Sequence, residues 1–484
     1  MKLLQDILQG FNILSIQGDT AVEISEICFD SRKVKAGSLF VAVSGTQNDG
    51  HAFITKAIEN GAIAIVCEKL PENLTDNITW INVNDSAEAL GFIAANFFDN
   101  PSQKLKLVGI TGTNGKTTTV TLLFRLFRAL GYKCGLISTV VYCVEDKTYE
   151  STHTTPDQIV LNSLLAEMIH EGCSYCFMEV SSHSLAQKRI AGLKFTGGIF
   201  SNITHDHLDY HITFDNYIKT KKLLFDSLDK KAFALINVDD RNGKIMIQNT
   251  KAMVKTYAMR SVADFKVKVI ESHFDGMQLN LDGAEVWTHL IGEFNAYNLL
   301  AVYSTAILLN QNKEEVLKHL SDFREVSGRF ETIRSKSGII AIVDYAHTPD
   351  ALVNVLKTIN QIRKGNEQLI TVVGAGGNRD KTKRPIMAKV CTDNSDKVII
   401  TSDNPRFEKP EDIIRDMVAG VTEEHKKRMI TITDRREAIK AAVMLAKPSD
   451  IILVAGKGHE NYQEIKGVKH HFDDKEVLME LFTY

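Results

Sequence analysis

An excess of positive charge is missing from this chain. Lys and Arg number 57 against 60 Asp and Glu, a formal net charge of -3, so no nucleic-acid footprint is present and no nucleic-acid partner is expected. Long apolar runs are missing too. No stretch reaches the roughly 20 residues that a membrane-spanning helix needs, and Met1-Lys2-Leu3-Leu4-Gln5-Asp6 carries no signal-peptide core; no membrane partner is expected. Cysteine is sparse: seven residues, at 28, 67, 134, 143, 173, 176 and 391, with Cys173-Ser-Tyr-Cys176 the only close pair. Without a second C-x-x-C a zinc site is not indicated, and a redox pair has little support. The expectation is buried free thiols in a reducing, cytoplasmic setting. Internal repeats and low-complexity segments are also lacking. What remains is an ordinary globular composition, 44% hydrophobic and 24% charged, and 484 residues suffice for two to four domains with full cores.

The most informative segment that is present is Leu105–Leu130, LKLVGITGTNGKTTTVTLLFRLFRAL. A β-branched strand runs into Gly112-Thr113-Asn114-Gly115-Lys116-Thr117-Thr118. An amphipathic helix follows, with Leu122, Leu123, Leu126, Phe127 and Leu130 on one face and Gly131 placed as a left-handed stop. Strand, glycine loop and helix make a phosphate cradle: N–H groups unpaired within the helix point at the anion, and the helix dipole favours negative charge there. Lys116 is expected to reach the β/γ-phosphates and Thr117 to hold Mg²⁺. Ile110 stands five residues before Gly115, so the loop is a shorter G-T-N-G-K-T form of the common pattern.

The pattern predicts an α/β protein of three domains. Residues 1–101 hold a helix-like Ala52–Asn60 stopped by Gly61 and the strand Ala62–Cys67; a polar Asp99-Asn100-Pro101-Ser102 segment ends the unit. Residues 102–331 are expected to form a central ATP-binding domain around a parallel, P-loop-ATPase-like sheet. Residues 332–484 alternate helices with the strands Ile339–Val343, Leu369–Val373, Lys397–Thr401 and Asp450–Val454, which predicts a doubly wound, Rossmann-like sheet. The last three of those strands enter Gly374-Ala-Gly-Gly-Asn-Arg379, Ser402-Asp-Asn-Pro-Arg406 and Ala455-Gly-Lys-Gly-His-Glu460. Ligands bind at the carboxyl ends of strands in such sheets, so a second binding edge is expected here.

In the central domain, the apolar strand Tyr175–Val180 carries Glu179 near its end, followed by Ser181-Ser182-His183-Ser184-Leu185. A carboxylate there suits Mg²⁺, a hard cation that takes oxygen ligands. His205-Asp206-His207-Leu208-Asp209-Tyr210-His211 is dense in ligating groups. No cysteine accompanies it and its spacing is not that of a structural zinc site, so a second Mg²⁺ position suits it better. Lys219-Thr-Lys221-Lys222 reads, on composition alone, as a basic helix face.

Phosphate loop, E-V-S-S-H-S-L and D-H-L-D-Y-H, in this order, resemble the Mur ligases of peptidoglycan synthesis over the whole length, and among them the ligase that adds the third residue of the stem peptide. The N-terminal Asp30-Ser31-Arg32-Lys33-Val34 and Gly45-Thr46-Gln47-Asn48-Asp49-Gly50 resemble the part of that family holding the UDP end of its substrate. The resemblance implies that Ser31, Thr46, Gln47 and Asn48 contact a UDP-sugar. It implies substrate contacts for Thr154, Thr155, Ser181, Gln187 and Arg189, with His153 standing where Asn is expected. It implies that Lys221, rather than Lys219 or Lys222, is carbamylated by CO₂ and joins Glu179, His207 and Thr117 around Mg²⁺. Asn295 is implied on the adenine side, and Arg329 and Asp344 as the hinge arginine and C-terminal aspartate that complete the ATP site. Lys116, Glu179, His207, Lys221 and Arg329 are thus the implied catalytic residues.

The implied reaction is ATP-dependent peptide-bond formation through an acyl phosphate, with UDP-N-acetylmuramoyl-L-Ala-D-Glu and meso-diaminopimelate as substrates and ATP and Mg²⁺ as cofactors, in a monomer. Asp403-Asn404-Pro405-Arg406 matches the motif of family members that use diaminopimelate. Arg406 and Arg379 supply carboxylate recognition; Asp403 and Glu460 can accept from the distal ammonium, with Gly456 close by. Alternatives are the same reaction with L-lysine, a folylpolyglutamate synthetase-like ligase, and a nucleotide-binding module without activity. The D-S-R and D-N-P-R segments argue against the folate ligase, and intact Lys116, Glu179, His207 and Lys221 argue against the inactive module.

Overall fold

Alternating strands and helices resolve into three main sheets, with two small two-stranded ones beside them, in the computed structural model, which describes residues 1–45 and 48–483. The N-terminal sheet has five strands in the order Ile13–Gln17, Thr79–Val83, Ala62–Cys67, Ser38–Val41, Glu26–Cys28, the first antiparallel and the rest parallel. The C-terminal sheet runs Glu331–Arg334, Ile340–Asp344, Ile451–Ala455, Leu369–Ala375, Lys397–Ser402, Met429–Thr431, again with one antiparallel edge strand. The inner strands of each of the three main sheets are buried on both faces. In Lys106–Thr111, Val108 and Ile110 enter one core and Leu107 the other, as the period of two in a strand requires.

The central sheet has the parallel core expected and is mixed at its edges. Seven strands are parallel, from Cys134–Ile137 through Tyr175–Glu179, Lys106–Thr111, Gly197–Phe200, Phe233–Asn237 and Met253–Ala258 to Phe265–His273. Antiparallel strands extend both ends, Val141–Val144 and Lys147–Glu150 on one side, Gly276–Leu281 and Ala284–Thr288 on the other. Their connections explain this. Leu281 pairs with Ala284 across Asp282 and Gly283, whose φ values are 50° and 85°. Two residues with positive φ make a tight hairpin turn, which can only reverse the chain; a parallel return needs a dozen residues or more.

The helix after the phosphate loop, Lys116–Ala129, buries Leu122, Leu123, Leu126 and Phe127. Gly131 at φ 89° donates to the Arg128 carbonyl and Tyr132 to that of Phe127, the paired bonds that close a helix on a left-handed glycine. All seven cysteines are buried and unpaired. Among the described residues no helix is long and apolar enough to cross a membrane. The carboxyl ends of the central parallel strands face those of the C-terminal sheet across one cavity of about 1420 Å³.

Candidate active site

The phosphate loop is shaped by two glycines that admit no side chain. A Cβ on Gly112 would lie 1.9 Å from Ser201 Oγ, and one on Gly115, at φ 87°, would lie 2.5 Å from Asn298 Oδ1. Neighbouring strand ends pin the loop: Thr113 N donates to Asn202 O at 2.8 Å, Asn114 N to Asn202 Oδ1 at 2.9 Å, and Ser201 Oγ to Asn114 O at 2.7 Å. Lys116 Nζ folds back on the carbonyls of Gly112 (3.0 Å) and Thr113 (2.9 Å). Lys221 Nζ, fully buried beneath the loop, donates to the same Gly112 carbonyl at 2.8 Å and lies 4.7 Å from the Tyr217 ring centre. Burial pushes both amines below the ordinary lysine range. The other two lysines of that helix go elsewhere. Lys219 is exposed, and Lys222 pairs with Asp226 at 2.5 Å.

Glu179 sits at the end of its strand, 1% exposed, accepting from Thr139 N at 2.8 Å and from the Thr139 hydroxyl. His207 is held at φ 54° with Nε2 3.4 Å from Asp206 Oδ2, and the His183 ring stands 4.9 Å away. Burial pushes the His207 imidazolium down, so the ring is neutral with a lone pair to offer. Burial alone would raise Asp206, but His207, His347 and Lys383 outweigh it and hold that carboxyl low. Among the described residues no three His, Cys, Asp or Glu side chains converge as a ready-made metal cage. Glu179, His207, Lys221 and Thr117 nevertheless line one wall of the cavity together.

The substrate residues implied on the central domain separate into two kinds. Thr154, Ser181 and Arg189 line the cavity, as does His153. Thr155 is fully buried, donating to Glu179 O at 2.8 Å and accepting from Ser181 N at 3.2 Å, while Gln187 braces Arg189 through its Oε1 at 2.7 Å. Ser181 also caps the short helix Ser182–Ala186 through Ser184 N. Ser31 and Asn48 lie on the N-terminal unit, away from this cavity; the Ser31 carbonyl accepts from Asn60 Nδ2 and the Asn48 carbonyl from Gly45 N. Thr46 and Gln47 lie outside the described residues.

Asn295 is buried, its Nδ2 donating to Ile291 O just ahead of the helix at 2.9 Å and its Oδ1 accepting from Asn298 Nδ2 at 3.0 Å. Asn298 is the amide that faces the cavity, beside Phe294 and Tyr297. The segment was found from the sequence, but the choice between two amides three residues apart needs the helix phase. Arg329 Nη2 donates to Thr117 Oγ1 at 3.1 Å, with the guanidinium 4.5 Å from the Tyr345 ring centre, so the segment that leads into the C-terminal sheet touches the phosphate loop. Asp344 accepts from Phe330 N at 2.7 Å, and burial raises its carboxyl to about 6.

At the far end of the cavity, Asp403 and Asn404 follow the strand Lys397–Ser402. Asn404 Nδ2 donates to Glu460 Oε2 at 2.8 Å, and buried Lys457 donates to Asn404 Oδ1 at 3.1 Å and Glu460 Oε2 at 3.2 Å. Gly456, at φ 118°, lets Asp403 approach: a Cβ there would lie 2.6 Å from Asp403 Oδ2. Arg379 and Arg406 line the same wall; Pro405 does not, its carbonyl packing against Gly377. Sequence reasoning missed Lys457, His347, Tyr345 and His459. A lysine inside Gly456-Lys457-Gly458 was the available signal for the first.

A phosphate cradle facing a second set of strand ends across one cavity defines an ATP-using enzyme that presents a phosphoryl donor to another bound substrate. Comparison with known proteins narrows the class. Residues 110–306 match the Mur ligase middle domain, 328–458 the Mur ligase glutamate ligase domain, and 23–98 the Mur ligase family catalytic domain. A UDP-N-acetylmuramoyl-L-alanyl-D-glutamate–2,6-diaminopimelate ligase of Phocaeicola vulgatus is 60% identical over 480 residues, 99% of each chain. One of the same description from Clostridium acetobutylicum is 43% identical over 96% of each. A solved structure of such a ligase superposes with a TM-score of 0.71 at 32% identity, covering 100% of this chain and 99% of its own. A folylpolyglutamate synthase of Thermotoga maritima, with a TM-score of 0.59 at 14% identity over 77% of this chain and 90% of its own, shares the fold. The chain belongs to the Mur ligase family, and it is an ATP-dependent ligase.

Proposed function

We propose that this ligase joins meso-diaminopimelate to UDP-N-acetylmuramoyl-L-Ala-D-Glu in peptidoglycan synthesis, with Lys116, Glu179, His207, Lys221 and Arg329 as the catalytic set. The observation that carries the reading is the single cavity holding Lys116 and Arg329 at one end and Asp403, Asn404, Arg406 and Glu460 at the other. A carboxylate is a poor electrophile. Its oxygen attacks the γ-phosphorus, ADP leaves, and an acyl phosphate forms; the incoming amine then attacks the acyl carbon and phosphate departs. The first step presses two anions together, and Lys116 with Arg329 offsets that repulsion where charge develops. Arg329, on the segment that leads into the C-terminal sheet, donates to Thr117 at the loop, so closure of that sheet over the loop would bring charge neutralisation with it.

Mg²⁺ fits the donors present: the nearly dry Glu179 carboxylate, the neutral His207 imidazole and the Thr117 hydroxyl are hard or borderline ligands. When bound, the ion would supply Lewis acidity toward phosphate oxygens. Lys221 completes the set as a carbamate, its nitrogen bonding to CO₂ carbon with loss of a proton. Support comes from the shared carbonyl. Two lysines on Gly112 O place like charges together in a buried spot, and carbamylation exchanges one of them for an anion. Thr154, Ser181 and Arg189 form the wall for the dipeptide, and Ser31, Thr46, Gln47 and Asn48 are the hold on the UDP end. Seven buried, unpaired thiols support a cytoplasmic location.

The test is phosphate release with ATP and the UDP-dipeptide, adding meso-diaminopimelate, L-lysine or L-glutamate in turn. Turnover with diaminopimelate alone is the expected result. Equal turnover with lysine would leave the ligase assignment standing and remove the substrate assignment.

A further inference from the structure

Arg406 carries the proposed selection of a distal carboxylate, yet two of its five guanidinium donors are already taken. Nε donates to Glu464 Oε2 at 3.1 Å and Nη1 to Gly377 O at 2.9 Å. The Glu464 side chain is 23% exposed and does not line the cavity, whereas Arg406 does. Glu464 therefore stands behind Arg406, and at the Nη1–Nη2 end of the fork one Nη1 hydrogen is on Gly377 O while the other Nη1 hydrogen and both on Nη2 have no partner among the described residues. That end is one of the two edges that form parallel bonds with a carboxylate.

The main chain is held from the same side. Arg406 has φ 51°, a left-handed conformation that is unfavourable for a non-glycine residue. Its N donates to Glu464 O at 3.0 Å, and Lys466 N donates to its carbonyl at 2.7 Å. Both partners belong to a small antiparallel hairpin, Tyr462–Ile465 paired with Val468–His471. The same hairpin braces the preceding residues: Glu464 N donates to Asn404 Oδ1 at 2.9 Å and Gln463 Nε2 to Asp403 O at 2.7 Å. A two-stranded hairpin has little stability alone; this one is sewn to the loop that it orders.

We propose that Glu464 is a positioning residue that aims Arg406 and so sets the preference for an amino acid bearing a distal carboxylate. The inference rests on the substrate reading above. The mechanism is geometric: a carboxylate on Nε blocks the side-on approach and fixes rotation of the guanidinium, so the substrate meets a fork already in place.

The experiment is steady-state kinetics of Glu464→Ala, Glu464→Asp and Glu464→Gln, each with diaminopimelate and with lysine. Glu464→Ala should raise KM for diaminopimelate about five- to thirtyfold with kcat within about twofold, the pattern of lost uniform binding. KM for ATP and for the UDP-dipeptide should not move. Glu464→Asp, too short to reach Nε, should resemble Ala and serves if Ala does not fold. Glu464→Gln, whose amide oxygen still accepts from Nε, should return KM to within about threefold of wild type. In an Arg406→Ala background, Glu464→Ala should add nothing, because the two act as one unit. Wild-type KM in Glu464→Ala or Glu464→Asp, equal losses for lysine, or additive effects in the double variant would overturn the inference. Absence of any wild-type turnover with diaminopimelate would instead overturn the substrate reading, and this inference with it.

Discussion

The two ends of the cavity are built on opposite plans. At the phosphate loop, cations converge with no salt bridge to them among the described residues, although Glu179 and Asp206 stand nearby: Lys116 and Lys221 crowd one carbonyl, and Arg329 reaches in from the segment that leads into the C-terminal sheet. At the amino-acid end most charges already have partners. Arg406 has Glu464, Lys457 has Glu460, and behind them Arg384 holds Glu408 and Arg435 holds Asp474. The first is an unfinished electrostatic site that ligands complete, suited to stabilising transferred charge. The second is finished in advance and discriminates by where its few remaining donors point. A unit-charge deletion should therefore hurt rate at one end and selectivity at the other.

The sharpest break in that contrast would come from Lys221. Lys221→Ala should cost on the order of a thousandfold in kcat, the upper range for one electrostatic group, with partial rescue by short carboxylates that mimic the carbamate. Lys222→Ala, whose amine is occupied by Asp226, should change kcat little. A dead Lys222→Ala beside an active Lys221→Ala would reverse the assignment. Next, Lys116→Ala should cost about 2.7–4 kcal/mol of transition-state stabilisation, read as kcat/KM for ATP; turnover within threefold of wild type would remove the phosphate loop from the chemistry.

Arg406→Ala tests the other end. It should raise KM for diaminopimelate roughly ten- to a hundredfold, as the loss of a hydrogen-bonded charge pair implies, and change lysine kinetics much less. Equal losses would make the arginine structural. The smallest effect is expected at the junction. Asp344 is raised from 3.8 to about 6 by burial, so the folded state binds its proton more tightly than the unfolded chain does. Its contribution to stability is present below about pH 4 and lost as pH rises through about 6. Ligand-free Asp344→Asn should therefore gain on wild type across that window, by roughly a few degrees in Tm. A melting-temperature difference independent of pH would contradict the raised value.

The same contrast marks what could be read from the sequence. The phosphate loop was legible because strand, glycines, lysine and helix are contiguous, and each obeys a local rule. Strand ends such as Glu179 and Asp403 were legible because ligands gather there in α/β sheets. The partners of Arg406 were not, since Gly377 lies 29 residues before it and Glu464 lies 58 after it. The burial of Thr155 beside an accessible Thr154, and the choice of Asn298 over Asn295 at the cavity wall, depend on side-chain direction within a motif. The antiparallel extensions of the central sheet rest on turn residues such as Asp282-Gly283, a local signal overshadowed by the apolar pattern around it.

The burial of all seven thiols has a use outside catalysis. Desolvation raises every one of them, Cys67 and Cys173 to about 11 and Cys391 to about 12, so few thiolates exist near neutral pH and none lies at the surface. A cysteine introduced on an exposed loop should then outcompete the native ones for a maleimide dye by a wide margin. One dye beside the phosphate loop and another on the hairpin at Gly467 would report the distance between the cavity's two ends by energy transfer. The native background would need no removal, and any change in that distance on adding ATP or the amino acid could be followed in single molecules.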